Sequence, residues 1–271
     1  MEFALGIYAI PVSDGANTVY IARGDNAAAI IDAGRKAADA DTILDYWRGI
    51  GAPKVQALVL SHRHWDHIAG ASKIVDVTGA EVLATAVEKP FIEAAETPVR
   101  VDRTERDGER ISLGGATLEI LETPGHTMGS LSVYHREHRV LFTGDTVLGS
   151  SPTAISPDQG DMSLYLDSLR RLADIDARTV APGHGPLMRS PRINIQGLIS
   201  HRLAREAQIL DLLSAGHNTV DSLFYAIYAA EVDAAHVDLA KGQVRAHLLK
   251  LQRDGKAALH DGKWLAYAGR S

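Results

Sequence analysis

The sequence reads Ser61-His62-Arg63-His64-Trp65-Asp66-His67 directly after Val55–Ser61, an apolar run that predicts a buried strand. His62 and His64 are two residues apart, so both rings point to the same side of extended backbone. In open α/β sheets, ligands bind at the carboxyl ends of the strands. Three imidazoles and one carboxylate within six residues form a donor set that suits zinc. This stretch therefore predicts a metal site at the end of a buried strand.

Three other short motifs place a histidine or an aspartate beside a glycine, each just past a predicted strand. They are Thr123-Pro124-Gly125-His126-Thr127, Phe142-Thr143-Gly144-Asp145 and Pro182-Gly183-His184-Gly185. The glycine lets the backbone turn sharply next to the polar side chain. Each motif is a weak signal alone, because turns with a histidine or an aspartate are common. All four motifs in this order, each at a strand end, predict that distant segments of the chain meet in one site.

The pattern around these motifs predicts alternating strands and helices, which is typical of α/β proteins. The further predicted strands are Phe3–Ile10, Thr18–Arg23, Ala27–Asp32, Ile111–Leu113, Ala116–Leu121, Leu131–His135, Arg139–Thr143 and Val180–Pro182. The predicted helices are Lys36–Gly49, Thr85–Glu96 and one that Asp161 caps and that runs to about Ala173.

The composition changes near Ser190, and the rest of the chain is predicted to be mostly helical. A long amphipathic helix starts near Gln196, and two further helices span Thr219–Tyr228 and Leu239–Arg253. Lys256–Ala266 predicts a hairpin with Asp261-Gly262 at its turn. Two helices followed by a hairpin are typical of a winged helix. We therefore predict a catalytic domain over residues 1–195 and a long helix plus winged-helix domain over residues 196–271.

The composition also narrows the class of protein. The chain has 271 residues, of which 45% are hydrophobic, and it contains 12 histidines and no cysteine. Without cysteine there is no disulfide, no thiolate nucleophile, and no zinc or iron–sulfur site with cysteine ligands. No apolar run approaches the roughly 18 residues that span a bilayer. Met1-Glu2-Phe3 opens with an acid and is not followed by a basic and then an apolar stretch, so we expect no signal peptide. We expect a cytoplasmic protein with no membrane partner.

The net charge of −6 is mildly acidic and unevenly distributed. Residues 1–200 hold 19 Lys/Arg and 26 Asp/Glu, and residues 201–271 hold nine and eight, which gives −7 and +1. Neither part has the basic excess that is typical of dedicated nucleic-acid-binding domains. The charge therefore favours a small-molecule or carrier-bound substrate.

With these motifs, the sequence from about residue 1 to residue 190 resembles the metallo-β-lactamase superfamily. The resemblance implies an α/β fold, an αββα sandwich with the metal site at one edge of two sheets. It also implies the ligands, which are His62, His64 and His126 for a first zinc, Asp66, His67 and His184 for a second, and Asp145 bridging both. The expected cofactor is two Zn²⁺, although Mn²⁺ and Fe²⁺ accept the same donor types.

The implied chemistry is hydrolysis by a hydroxide that bridges the two cations. Such a hydroxide forms with a pKa near 7 instead of ~15.7, so a nucleophile exists at neutral pH. Asp66 would orient the hydroxide and later carry a proton, which makes it the expected catalytic residue. The leading function is a zinc hydrolase that acts on an ester, a thioester or a lactone, and weak, promiscuous β-lactam hydrolysis is compatible with such a site.

The C-terminal part resembles one branch of the superfamily, the lactamase-beta-like family with a C-terminal winged helix. The resemblance rests on Ile199–Leu210, which reads ISHRLAREAQIL, on Val244–Leu251 and on Asp261–Trp264. This branch includes a mitochondrial single-strand endoribonuclease and thioesterases that release polyketides from acyl carrier protein. The alternative function is therefore an endoribonuclease, for which RNA would be the partner. It would need a basic track to the site, for which the candidates are Arg35, Lys36, Arg63, Lys89, Arg100, Arg103 and Arg106.

Other classes stay open or are excluded by single features. Asp145 argues against a dedicated β-lactamase, because the subclass with the same HxHxDH motif usually lacks that aspartate. A winged-helix regulator that senses a metabolite and a mononuclear iron dioxygenase are further alternatives.

The presumed recognition helix of the winged helix offers few cations, namely Lys241, Arg245, Lys250 and Arg253, whereas duplex binding needs several phosphate contacts. We expect the winged helix to serve packing or a homodimer contact.

Overall fold

The computed structural model describes residues 1–228 and 232–267. Two sheets pack face to face and carry helices on their outer sides. The first sheet has the order β1 to β7, with β1 Glu2–Ala4, β2 Ile7–Val12, β3 Asn17–Arg23, β4 Ala28–Ile31, β5 Val55–Val59, β6 Glu81–Thr85 and β7 Arg103–Glu105. The second has the order β12-β11-β10-β9-β8, with β8 Arg110–Ser112, β9 Thr117–Glu122, β10 Leu131–His135, β11 Val140–Gly144 and β12 Thr179–Pro182.

Helices connect these strands and form the C-terminal part. They are α1 Asp39–Gly49, α2 Trp65–Ile68, α3 Ala71–Thr78, α4 Lys89–Glu93, α5 Met162–Asp174, α6 Pro191–Ser214, α7 Val220–Tyr228 and α8 Val237–Arg253. Short 3₁₀ turns occur at Ser13–Gly15 and Ala234–His236, and a hairpin of β13 Ala257–His260 and β14 Lys263–Ala266 follows α8. Within residues 1–228 and 232–267, no helix combines the length and the apolar character that a membrane crossing requires.

Alternating side chains of the central strands build two cores. Ile31 and Val59 point between the two sheets, where they pack with residues of the second sheet such as Phe142. Their neighbours Ile30 and Leu58 point to the opposite face, under α1 and α3. Strands β4 and β5 are parallel and covered on both faces, which explains why their sequences are nearly continuous apolar runs. Helix α5 covers the outer face of the second sheet, so the predicted αββα sandwich is confirmed.

Several predicted elements differ in their extent. Helix α6 begins at Pro191 and not near Gln196, and two further differences have a clear physical reason. The predicted strand Phe3–Ile10 is interrupted at Gly6, whose φ of +70° turns the chain, so that β2 begins only at Ile7. The predicted helix Thr85–Glu96 is reduced to α4, because Thr85 still belongs to β6 and pairs with Glu105 of β7. Sheet pairing therefore overrides the local helical preference at this position.

Helix α6 joins the sandwich to the C-terminal part. Ile195 in its first half packs in the core under α5. Ile209 and Leu213 in its second half pack with Leu248 and Trp264 in a separate C-terminal core. The predicted domain boundary between residues 195 and 196 falls inside this helix, and the division into two domains stays a prediction.

Candidate metal centre

The structure brings all seven predicted ligands together at one edge of the two sheets. His62 and His64 follow β5, whereas Asp66 and His67 lie in α2. The other three side chains come from the ends of the second sheet, where His126 follows β9, Asp145 follows β11 and His184 follows β12. Strand ends of both sheets therefore supply one cluster.

Within the cluster, the donor atoms form two groups. In the first, Nδ1 of His64 lies 3.0 Å from Nε2 of His62 and 2.9 Å from Nε2 of His126. In the second, Nε2 of His184 lies 3.3 Å from Nε2 of His67 and 3.4 Å from Oδ2 of Asp66. These are two of the groups whose donor atoms all lie within 4.8 Å of one another.

Asp145 lies between the two groups. Its Oδ1 is 3.3 Å from Nε2 of His67, and its Oδ2 is 3.8 Å from Nε2 of His126. Oδ1 is buried and makes no hydrogen bond among the described residues. A buried carboxylate oxygen without a partner is costly unless a cation neutralises it. The position of Asp145 therefore fits a bridging role.

Each histidine of the cluster also has a partner on the outward side of its ring. The contacts are His62 Nδ1 to Ser61 Oγ at 3.0 Å, His64 Nε2 to Gln159 Oε1 at 2.7 Å, His67 Nδ1 to Asp32 Oδ2 at 2.8 Å, His126 Nδ1 to the Ala154 carbonyl at 2.8 Å and His184 Nδ1 to the Ala16 carbonyl at 2.7 Å. All of these oxygens accept the outward N–H, and the hydroxyl of Ser61 donates its own proton to Asp32. On His62 and His126, whose rings are neutral at pH 7, the inward nitrogens then keep their lone pairs.

The inward lone pairs test whether the residues fit a metal. Two imidazole lone pairs about 3 Å apart repel each other unless a cation lies between them, and the distances above place several pairs in this situation. Imidazole nitrogens and carboxylate oxygens are the donors that divalent transition metals prefer. The arrangement therefore fits two divalent cations.

The pKa values of the cluster lead to the same conclusion. Burial holds the pKa of His126 at about 4 and that of His62 well below its ordinary value, so both rings are neutral at pH 7. Although burial opposes it, contacts with His67 and His184 hold the pKa of Asp145 well below its ordinary value. Against the cost of burial, Asp145 and Asp66 in turn raise the pKa of His184 to about 10. The carboxylates thus demand positive charge, which metal cations would supply.

Close backbone approach explains two of the glycines in the motifs. Gly144 has a φ of +47°, and a Cβ there would lie 2.5 Å from Oγ of Ser61. A Cβ on Gly183 would lie 2.6 Å from Cε1 of His67. Any larger residue at either position would push against the histidine motif or its support, so these glycines let the two sheet edges meet.

Sequence reasoning missed the residues that hold the ligands. Asp32, at a φ of +64° after β4, accepts hydrogen bonds from both the amide and the hydroxyl of Ser61 in addition to the His67 contact. An aspartate directly behind the apolar run Ala28–Ile31 was a usable signal, because it ends a strand next to β5. Gln159 lies in an irregular loop, and nothing in the local sequence distinguishes it.

The segment Ser151–Ala154 connects the centre to the C-terminal helices. The hydroxyl of Thr153 donates to the Asp145 carbonyl at 2.7 Å, and the next residue binds His126 as described above. The Thr153 carbonyl accepts from Arg202 of α6 and, at 3.4 Å, from Gln243 of α8. Side chains far along the chain therefore fix the backbone behind two predicted ligands.

Comparison with known proteins identifies both parts of the chain. Residues 12–184 match the family model of the metallo-beta-lactamase superfamily, and residues 219–264 match that of the beta-lactamase associated winged helix domain. A metallo-beta-lactamase family protein from Thermus thermophilus has a similar structure, with a TM-score of 0.81 over 98% of this chain and 100% of that one. At 22% sequence identity, this likeness shows the fold alone.

Two relatives are similar in sequence. The Beta-lactamase-like protein 2 homolog of Caenorhabditis elegans is 31% identical over 205 residues, which cover 74% of this chain and 66% of the relative. The Atrochrysone carboxyl ACP thioesterase of Aspergillus fumigatus is 27% identical over 196 residues, which cover 72% and 59%. The chain thus spans about three fifths of the length of these relatives. Since the first family model covers well over half of the chain, the protein belongs to the metallo-beta-lactamase superfamily.

Proposed function

We propose that this protein is a hydrolase of esters, thioesters or lactones that works with two Zn²⁺ held by the seven-residue cluster. The observation that carries the proposal is the set of inward imidazole nitrogens around the buried Oδ1 of Asp145, which makes no hydrogen bond among the described residues. His62, His64 and His126 would hold one ion, and Asp66, His67 and His184 the other. When bound, the ions supply Lewis acidity, which polarises the scissile carbonyl and makes water a better nucleophile.

The exposure of the cluster defines where a substrate approaches. The side chains of His184 and Asp66 are 24% and 19% exposed, whereas that of His67 is 1% exposed. His64 is also partly exposed, next to the exposed Gln159. The reacting group therefore enters on the side of His64, Asp66 and His184, while the deeper histidines hold the back of the site.

We assign the transfer of a proton to Asp66. Burial opposes it, but the contact with His184 lowers the pKa of Asp66 to about 2, so the carboxylate is ionised at neutral pH. Its backbone is held because Nδ2 of Asn17 donates to the Asp66 carbonyl at 2.9 Å. A fixed, ionised and partly exposed carboxylate can take the proton from an attacking water and return it to the leaving group.

The choice of an acyl substrate has two supports. The chain carries a net charge of −6, and the Aspergillus relative is named as a thioesterase of an acyl carrier protein. Phosphodiester hydrolysis ranks second, because most of the candidate basic track is neutralised. Arg63, Lys89, Arg100 and Arg103 each lie within 4 Å of a carboxylate.

We also propose that the winged helix serves packing or a homodimer contact and does not bind duplex nucleic acid. On α8, Lys241 pairs with Asp221, Lys250 pairs with Glu206, and Arg253 pairs with Asp161. Cations already paired with carboxylates contribute little to phosphate binding. Sedimentation of the full chain tests for the dimer, and a gel shift with duplex DNA tests for nucleic-acid binding.

A substrate panel with measured metal content tests the function. The panel comprises an acyl thioester, an aryl ester, a lactone, a β-lactam and labelled single-stranded RNA, each assayed with the Zn²⁺-loaded protein. We expect turnover of one of the acyl substrates with about two Zn²⁺ per chain, and a loss of about 10²- to 10⁴-fold in Asp66→Asn. Asp167→Asn, at an exposed aspartate of α5, is the control. Cleavage of RNA alone, or full activity after chelation, would contradict the proposal.

A further inference from the structure

A cavity of about 490 Å³ lies between the segment Ser151–Ala154 and the helices α6, α7 and α8. None of the seven predicted metal ligands lines it. Its volume is within the range of pockets that bind small molecules, about 300–1,000 Å³. The cavity is therefore a second candidate site, and the proposed hydrolysis does not assign it a role.

The cavity is lined by two guanidinium groups that have no carboxylate counter-ion within residues 1–228 and 232–267. Arg202 is 3% exposed, and its Nε has no hydrogen-bond partner in the part of the chain that the structure describes. Its other contacts are neutral, namely the Thr153 carbonyl and, at 3.2 Å, Oε1 of Gln243. Among the described residues, neither Arg202 nor Arg205 lies within ion-pair distance of a carboxylate. A buried charge without a counter-ion is costly, so the site favours an anion.

Among the residues that the structure describes, two acidic side chains near the cavity each accept a hydrogen bond from another residue. Glu206, the next residue on α6, accepts from Lys250 at 3.0 Å. Asp233 accepts from Nδ1 of His236 at 2.7 Å. No aspartate or glutamate is among the described residues that line the cavity. Burial first, and then the charges of Arg202 and Arg205, lower the pKa of His201, another lining residue. Of these causes, the two guanidinium charges reflect the cationic lining of the cavity.

An apolar wall faces the charged one. The guanidinium of Arg205 stacks on the ring of Tyr228, 4.5 Å from the ring centre. Leu239 and Ala240 line the same cavity. The stacking holds Arg205 in one orientation while leaving N–H groups that can donate to an oxyanion. A ligand with an apolar body and a terminal oxyanion matches both walls.

We propose that this cavity binds a small organic oxyanion, a phosphate or a carboxylate, whose charged end contacts Arg202 and Arg205 and whose apolar part packs against Tyr228 and Leu239. Phosphate and carboxylate share the planar or forked acceptor geometry that guanidinium groups recognise. The proposal does not depend on the reaction at the metal centre.

Calorimetric titration of the full, Zn²⁺-loaded chain tests the proposal. The probes are phenylphosphonate, benzoate and the neutral benzyl alcohol. We expect at least one anion to bind, and benzyl alcohol not to bind at the same concentrations. Arg205→Gln should weaken binding about tenfold. Arg205→Lys keeps the charge but loses the stacked guanidinium fork, so it should weaken binding by a smaller factor, and the exposed control Arg170→Gln should not change it. The ranking of phenylphosphonate against benzoate identifies the preferred oxyanion.

Anions also bind metal ions, so a variant at the metal centre separates the two sites. His62→Ala should leave the affinity for the anionic probe unchanged if the cavity binds it. Loss of binding in His62→Ala together with unchanged binding in Arg205→Gln would overturn the proposal. Equal affinities for benzyl alcohol and the anions would also overturn it. Arg205 is only half-buried, so a thermal melt of Arg205→Gln suffices to show that the variant folds.

Discussion

Asp32 shows how much of the candidate centre depends on a side chain that is not itself a predicted ligand. It lies behind His67 and holds both the amide and the hydroxyl of Ser61, so it orients the histidine motif from the rear. A carboxylate in this position also makes the imidazole a stronger donor to a cation. A residue outside the histidine motif therefore helps to set the geometry of the motif.

Replacement of Asp32 by asparagine tests this role. Asp32→Asn keeps the size of the side chain but removes the charge, and we expect Zn²⁺ affinity to fall about 10- to 100-fold. Competition with a chromogenic chelator measures the affinity, and Asp45→Asn, at an exposed aspartate of α1, is the control. Unchanged affinity in Asp32→Asn would show that Ser61 and the backbone orient His67 without help.

We expect the buried His135 to make the stability of the fold depend on pH, independently of the candidate metal centre. Its side chain is 1% exposed, its Nε2 has no hydrogen-bond partner among the described residues, and burial lowers its pKa from 6.5 to about 4. A histidine with a lower pKa in the folded state takes up its proton first in the unfolded chain. The contribution of the neutral ring to stability is therefore complete above about pH 6.5 and is lost progressively as the pH falls toward 4.

We expect His135→Asn to flatten this part of the stability profile. Chemical denaturation at several pH values should show that the wild type loses about 1–3 kcal/mol more than the variant between pH 7 and pH 4.5. Asparagine can still accept the hydrogen bond that the His138 amide donates to Nδ1. The exposed His260 provides the control, since His260→Asn should keep the wild-type slope. Parallel profiles for all three proteins would exclude His135 as the source.

At the scale of elements, α5 begins where its sequence predicts. Oδ1 of Asp161 accepts from the amides of Ser163 and Leu164 at 2.8 and 3.1 Å. Oδ2 of the same side chain pairs with Arg253 at the end of α8, 2.5 Å away. One carboxylate therefore caps one helix and ties it to another.

The two contributions of Asp161 can be separated by two substitutions. Asp161→Ala removes the cap and the ion pair, and we expect a loss of about 1–2 kcal/mol in the free energy of unfolding. Asp161→Asn keeps a capping oxygen and removes the charge, so its loss should be about 1 kcal/mol or less. Urea denaturation measures both. Equal losses would assign the whole effect to the pair with Arg253.

Elements with a clear local pattern could be predicted, and those set by distant contacts could not. The apolar run of β5, the cap of α5 and the turn at Asp261-Gly262 are local signals, and all three occur in the structure. Helix α3 was missed, and the helix around α4 was overextended, because sheet pairing decides where Thr85 belongs. The propensity of a short segment does not contain that information.

The same distinction applies to the candidate centre. Its seven predicted ligands stand in four motifs with a glycine or a strand beside them, and such motifs can be found in a single sequence. Arg202 and Gln243 stabilise the segment Ser151–Ala154 from about 50 and 90 residues away, and no local pattern indicates them. Their role follows only from the way α6 and α8 pack on the sandwich.

At the scale of the whole molecule, α6 couples the two hydrophobic cores. It is one continuous helix with buried side chains in both. The backbone behind His126 and Asp145 is bonded to α6 and α8 as well. We therefore expect the sandwich and the winged helix to unfold together in spite of the predicted boundary at residue 195.

A cavity-forming substitution in the C-terminal core tests this coupling. Leu248→Ala should lower the free energy of unfolding by about 2–5 kcal/mol. In urea denaturation, the midpoint for the loss of helix and the midpoint for the release of metal should fall by the same amount. Circular dichroism and a zinc-sensitive dye report the two events. The adjacent and partly exposed Leu249 provides the control Leu249→Ala. Metal release at the wild-type midpoint in Leu248→Ala would show that the domains unfold separately.

The segment Ser151–Ala154 has two faces, since it lines the cavity and also supports the backbone of the ligands. A mutation that reshapes this segment for a different ligand also disturbs His126 and Asp145, which the segment contacts. If the cavity binds a ligand as proposed, we expect substitutions at these four positions to alter both sites together.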